Sequence, residues 1–202
     1  WWSLNELWKK NLLYEGYRVV HYCARCGTPL SSHEVAKGYT TVSENTLFVR
    51  FKIKDRDEYF LAWTTTPWTL LSNVALAVGQ DIQYALVQYR DRKYILAEAL
   101  VDKIFNEYEL LKVYKGKDLE GIEYEPLFEH FKGKIKDSWR VILGDFVSTE
   151  EGTGIVHIAP AFGEDDFIAG QKNNLPLVNP IDEDGKFTEE IPELKGIFAK
   201  DA

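Results

Sequence analysis

A mainly β fold with flanking helices (α+β), built on a barrel-like core or curved sheet, is predicted from three observations. From about residue 46, apolar and polar residues alternate with a period of two, as half-buried strands require. Short runs of this kind recur to about residue 158 with turns between them, the pattern of a small barrel or curved sheet. Helical spacing is confined to a few brief segments. The chain has 202 residues, 45% hydrophobic and 28% charged, which suffices for one ordinary core.

Taken in order, Ser3-Leu4-Asn5-Glu6 has capping-box spacing, and Leu4, Leu7, Trp8 and Leu12 follow at helical intervals, predicting a helix over 4–14. Arg18 to Tyr22 reads as a strand entering the turn Cys23-Ala24-Arg25-Cys26. Leu47, Val49, Phe51 and Ile53 alternate with Phe48, Arg50 and Lys52, and further strands are expected at 59–64, 74–78, 84–89 and 93–97. Arg90-Asp91 is the tight turn between the last two. Leu100, Val101, Ile104 and Phe105 return to helical spacing, and strands follow near 110–114, 139–143 and 154–158. A further helix is expected to start at Glu164-Asp165-Asp166, where acidic side chains complement the positive end of the helix dipole. The tail from Ile181 to Lys195 is acidic, with Asp184-Gly185 as a turn. Residues 1–40 read as an entry arm carrying a helix and the CxxC knuckle, 41–180 as the core domain, and 181–202 as an exit arm.

The net charge of -8 argues against a free-standing nucleic-acid binder, because affinity for phosphates comes mostly from basic patches. Lys112, Lys115 and Lys117, and Lys132, Lys134 and Lys136, are the basic clusters of note, and both also read as solvated faces. No run approaches the roughly 18–20 apolar residues of a membrane span, so no membrane partner is expected. Two cysteines give no disulfide framework, and a reducing, cytoplasmic setting is expected. The chain opens on Trp1 and contains no Met. A fragment of a longer protein is therefore expected, with removal of a pro-segment as the alternative.

Three segments carry chemistry. Trp63-Thr64-Thr65-Thr66-Pro67-Trp68-Thr69 places four hydroxyls within six residues at a strand end. Short, stiff hydroxyls suit orientation of a polar group, although threonines also simply favour strands and proline ends them. Gly152 to Asp166 feeds a glycine turn into a strand carrying His157, then through a Pro-bounded loop to Asp166. That carboxylate suits a substrate ammonium, and His157 suits orientation of water or a hydroxyl; a buried structural His and a helix-start Asp are the alternatives. Cys23 and Cys26 have the spacing of half a zinc knuckle. His21 and His33 are further ligand candidates, or a second pair lies outside this chain.

Together these segments resemble the large insertion of the class I synthetases for isoleucine, valine and leucine, over nearly the whole chain from Cys23 to about Gly196. Cys23 to Val35 looks like its entry, Trp63 to Trp68 like its threonine-rich peptide, and Gly152 to Asp166 like its second editing motif. Thr66-Pro67-Trp68 and Val156-His157-Ile158-Ala159-Pro160 are similar to the isoleucine branch. The resemblance implies the editing-domain fold and hydrolysis of valine from misacylated isoleucine tRNA, without a protein nucleophile or catalytic metal. Valyl-adenylate is a second substrate left open. It implies that Asp166 binds the amino group and that Thr64, Thr65 and Thr66 hold the ester end and terminal adenosine. Thr66 and Asn73 would lie near the attacking water, Trp68 and His157 would shape the side-chain pocket, and Thr69 would join the binding residues. The implied partners are the 3′ end of isoleucine tRNA and the remainder of a parent synthetase. No cofactor is implied for editing; zinc, completed by a second Cys pair that normally follows the insertion, belongs to the full-length parent. The competing readings are an editing domain of related specificity and a non-catalytic zinc-knuckle binding module.

Overall fold

A computed structural model describes all of residues 1–202. The elements run α1 (Trp2–Lys9), β1 (Tyr22–Cys23), β2 (Thr28–Pro29), α2 (Ser32–Lys37), β3 (Leu47–Lys52), β4 (Tyr59–Thr64), β5 (Ala75–Val78), β6 (Gln83–Tyr89), β7 (Arg92–Ala97), α3 (Val101–Ile104), β8 (Glu109–Lys115), β9 (Arg140–Leu143), β10 (Ile155–Ile158) and α4 (Glu164–Lys172). The fold is mainly β with a few short helices. Its strands form two open sheets and a small hairpin: β3-β4-β7-β6-β8, β10-β5-β9 and β1-β2. Bridges Ile53–Tyr124 and Glu123–Arg140 link β3 to β9 through the segment between them. On the other side, Ala97 N–H at the end of β7 donates to the carbonyl of Thr153 just before β10, at 2.8 Å. These two seams wrap the sheets around one core and give it its barrel-like character.

That core is apolar and closely packed. Phe51, Phe60, Tyr84, Leu76, Ile95 and Ile155, from both sheets, are fully buried together with Leu100 and Leu119 from the connecting 3-10 turns. Gly154, at φ +71°, lets the chain pass the end of β7, where an added Cβ would lie 2.4 Å from Ala97 Cβ. The buried Tyr84 hydroxyl donates to Gly154 O at 2.7 Å, tying the start of β10 to the five-stranded sheet.

Three local expectations are corrected. The first helix covers Trp2–Lys9 rather than 4–14, with no side-chain cap at its start. Ser3 lies inside it, and Glu6 pairs with Lys9 at 3.0 Å instead of closing a capping box. Asn11 adopts φ +54° and Leu12 N–H reaches back to Leu7 O at 3.0 Å, a left-handed stop of the kind asparagine tolerates. The capping box that does form is Ser31–Glu34, at the start of α2. The expected strand over 18–22 is a two-residue ladder, Tyr22 with Pro29 and Cys23 with Thr28; Pro29 has no N–H with which to continue it.

Residues 1–40 contribute no buried residue. The tail beyond 181 does: Phe187, Ile191 and Ala199 are buried with Val74, Phe131 and Val178. Asp182 Oδ1 accepts from the N–H groups of Asp184 and Lys186, each at 2.9 Å, around Gly185 at φ +74°, so the Asp184-Gly185 turn is present.

Candidate functional site

β4 runs to Thr64, and Pro67 then opens a 3-10 turn over Pro67–Ser72. The proline ring fixes φ for that turn and lacks the N–H a strand would need, so the chain must leave the sheet between Thr64 and Pro67. Thr66 is the hinge, at φ -125° and ψ 70°. The turn folds the hydroxyls onto one another. Thr66 N–H donates to Thr64 Oγ1 at 3.1 Å, Thr69 Oγ1 donates to Thr66 O at 2.8 Å, and Thr66 Oγ1 lies 3.2 Å from Thr69 Oγ1.

β10 supplies the opposite wall. It pairs antiparallel with β5, setting His157 beside Leu76. The ring points across the seam to the turn, where Nε2 lies 3.1 Å from Thr69 Oγ1. Burial pushes the His157 pKa down to about 4, so the ring is neutral at pH 7. Beyond β10 the loop reaches Gly163, which precedes α4, and Asp166 sits in the first helical turn. Its Oδ2 accepts from Ala159 N–H at 2.9 Å, drawing the carboxylate back over the loop. Burial pushes the Asp166 pKa up to about 6, against the lowering effect of the Ala159 N–H and with a further upward push from Asp165. A Cβ at Gly163 would lie 3.0 Å from Asp166 Cγ, so glycine there is what permits the close approach.

These elements enclose a cleft of about 340 Å³ lined by Trp63, Thr64, Thr65, Thr66, Thr69, Val156, His157, Ala159, Phe162, Gly163 and Asp166. The lining combines apolar side chains (Trp63, Val156, Phe162) with hydroxyls and one carboxylate. Six sequence-derived candidates therefore meet in one place: Thr64, Thr65, Thr66, Thr69, His157 and Asp166. Two others do not. Trp68 stands behind the wall, its ring edge-on to Phe162 with centroids 5.0 Å apart. Asn73 is buried outside the cleft with both side-chain polar atoms engaged, Nδ2 donating to Ala75 O at 2.9 Å and Oδ1 accepting from the Tyr124 hydroxyl at 2.7 Å. These bonds lock the exit of the turn, and Asn73 does not line the cleft itself. Trp63, Val156, Phe162 and Gly163 were not singled out as site residues. Period-two counting along β4 and β10 does not say which sheet face opens on a cleft.

The Cys23–Cys26 turn lies on the arm and lines no part of this cleft. Cys26 N–H donates to Cys23 Sγ at 3.4 Å, which holds the Cys23 thiol below its ordinary pKa, as a thiolate ligand needs. No group of three or more His, Cys, Asp or Glu gathers anywhere as a metal cage. His21 and His33 do not complete the pair, and two ligands fall short of the four of a structural zinc site.

Residues 1–147 match a family profile described as tRNA synthetases class I (I, L, M and V). The chain is 51% identical over 204 residues to the isoleucine–tRNA ligase of Clostridium kluyveri, which covers 100% of this chain and 19% of that protein. It is 50% identical over 203 residues to the corresponding ligase of Picrophilus torridus, covering 100% and 20%. The chain thus spans about a fifth of the length of the curated relatives it matches. Among solved structures, one described as GlLeuRS-CP1 superimposes with a TM-score of 0.54 at 16% identity, covering 63% of this chain and 58% of that one. The Plasmodium knowlesi (P. knowlesi) cytosolic leucyl-tRNA synthetase editing domain gives 0.50 at 15%, covering 65% and 63%. At such identities the likeness establishes the fold alone.

Proposed function

The chain belongs to the class I tRNA synthetases of the isoleucine, leucine, methionine and valine group, and on that premise we propose that it is the editing domain of an isoleucyl-tRNA synthetase, which hydrolyses valine from misacylated isoleucine tRNA. The observation that carries this reading is the pairing within one cleft of a part-buried carboxylate with an apolar wall and a cluster of hydroxyls. An aminoacyl ester presents those three features in complement: an ammonium, a branched side chain and a polar ester.

Asp166 Oδ1 has no hydrogen-bond partner within the chain, while Oδ2 is held by Ala159 N–H. The carboxylate is thus oriented with one oxygen free for the ammonium, as a charge-assisted pair. Trp63, Val156 and Phe162 receive the isopropyl group, and Trp68 braces Phe162 from behind. Thr64, Thr65 and Thr66 face the ester and terminal adenosine. The water oxygen bonds to the ester carbonyl carbon and the C–O bond to the ribose breaks. The ribose oxygen leaves with the proton that the water releases, giving free valine and deacylated tRNA. Valyl-adenylate offers the same ammonium and carbonyl to the same groups.

The need for such a site is energetic. A hydrophobic pocket rewards one methylene by only about 1–3 kcal/mol, a limit for which isoleucyl-tRNA synthetase is itself a standard example. A second, smaller site can use the extra methyl of isoleucine against it, since pushing the ester carbon about 1 Å off its place relative to the water costs on the order of a hundredfold in rate.

Deacylation of valine-charged isoleucine tRNA by the native chain and by Asp166→Ala tests the assignment. The native chain is expected to deacylate, and the variant to lose kcat/KM by at least about a hundredfold. Equal rates in the two would remove Asp166, and with it this reading of the cleft.

A further inference from the structure

The cleft hydroxyls and the buried ring of His157 form one hydrogen-bonded chain, and that chain has a direction. Thr69 Oγ1 lies 2.8 Å from the carbonyl of Thr66, 3.1 Å from His157 Nε2 and 3.2 Å from Thr66 Oγ1. A threonine hydroxyl carries a single proton. The carbonyl can only accept, and it lies nearest, so it receives that proton. Thr69 Oγ1 must then accept from its other two neighbours, which requires a proton on His157 Nε2 and turns the proton of Thr66 toward Thr69. Thr66 Oγ1 is left with lone pairs alone, and Thr64 Oγ1, at 3.4 Å, can donate to it while accepting from Thr66 N–H.

The opposite tautomer is worse on two counts. It places the proton on Nδ1, which is buried without a partner, and a buried donor lacking an acceptor is the rarer and costlier orphan. It also makes Thr69 surrender its 2.8 Å bond for one of 3.1 Å.

Resting on the hydrolytic reading above, we propose that His157 is a positioning residue fixed as the Nε2–H tautomer, which acts through Thr69 to present Thr66 Oγ1 to the cleft as a pure hydrogen-bond acceptor for the attacking water. The water donates one hydrogen bond to Thr66 Oγ1, and a lone pair of its oxygen is thereby aimed at the ester carbonyl carbon. The C–O bond to the ribose breaks as the new bond forms, and the ribose oxygen takes the proton released by the water. Thr66 keeps its own proton, and His157 neither gains nor loses one. The ring therefore acts by where its N–H points. That differs from the general-base role a histidine beside a hydroxyl ordinarily suggests.

Nitrogen-15 NMR of the histidine rings in the 202-residue chain reads the tautomer directly, with His157 assigned by the signals missing from His157→Gln. The expected spectrum shows a protonated Nε2 and a bare Nδ1, unchanged across the neutral pH range. Thr69→Val, which removes the acceptor, is expected to lower kcat for valine-charged tRNA by roughly tenfold to a hundredfold with little change in KM. That loss should be the same at every neutral pH, and Thr69→Ser should restore the rate. A proton on Nδ1 in the native chain, or full kcat in Thr69→Val, would overturn the proposal. A native chain that shows the Nε2–H tautomer but hydrolyses no aminoacyl ester would instead overturn the editing reading, with the polarity of the hydroxyl chain established.

Discussion

Asp166 is subject to opposing pressures: burial favours its neutral form, while the role proposed for it needs the ionised one. Burial dominates in the free chain, and the pKa stands near 6. The rate at subsaturating substrate should therefore rise with pH through about 6 and level off above it, because kcat/KM reports groups of the free enzyme. His157, at about 4, adds no second limb in that range. The same shift sets a stability trend. A carboxyl whose folded pKa lies above its unfolded value stabilises the fold most when pH is below the unfolded value, and that contribution is lost as pH rises through about 6. Asp166→Asn keeps an acceptor for Ala159 N–H and removes the buried charge. It is expected to unfold later than the native chain at pH 8, by on the order of 1–2 kcal/mol, with the difference vanishing as pH falls below about 4; thermal melts across pH read this out. Gly163→Ala tests the same carboxylate sterically. Its Cβ would crowd Asp166 Cγ at 3.0 Å, and a loss of about tenfold in kcat/KM is expected, with a melting point only a few degrees lower.

The turn over Pro67–Ser72 carries the chain from the end of a strand along one edge of the cleft, and it is held at its far end. Asn73 accepts from the Tyr124 hydroxyl at 2.7 Å, and its backbone carbonyl accepts from Trp139 Nε1–H at 3.1 Å. Tyr124→Phe is expected to lower stability by about 1–2 kcal/mol, since it leaves a buried acceptor unmatched. Asn73→Ala should cost at least as much in a denaturant melt. Were Asn73 a chemical participant instead, its replacement would abolish hydrolysis and leave the melt untouched. Much of the β architecture was legible in the sequence because period-two runs such as Leu47–Ile53 and Tyr59–Thr64 record which face is buried. Pro67 likewise marked the end of β4. The arms were read less well. Ser3 has the spacing of a cap but Trp1 occupies the cap position, and Asn11 stops the helix through a left-handed backbone that spacing does not encode. The cleft was half legible: hydroxyls, His157 and Asp166 stand out by type, whereas Phe162 and Val156 become a wall only when β10 meets the turn from β4. Asn73 lies beside the motif but does not line the cleft, its side chain being bonded to Ala75 O and the Tyr124 hydroxyl, an arrangement spacing does not encode.

The molecule divides the work between a compact body and a bare arm. Because residues 1–40 contribute nothing to the core, removing them is expected to shift the melting point by only a few degrees and to leave the cleft intact. Both cysteines lie on that arm and neither lines the cleft, so chelator treatment is expected to leave the deacylation rate unchanged. A net charge of -8 gives the chain little general attraction for phosphates, and the proposed discrimination must come from the cleft itself. The decisive measurement is therefore a comparison of deacylation of isoleucine tRNA charged with valine and with isoleucine, by the native chain at equal concentrations. Loss of valine with isoleucine retained is the predicted result. Hydrolysis of both at similar rates, or of isoleucine alone, would contradict the account.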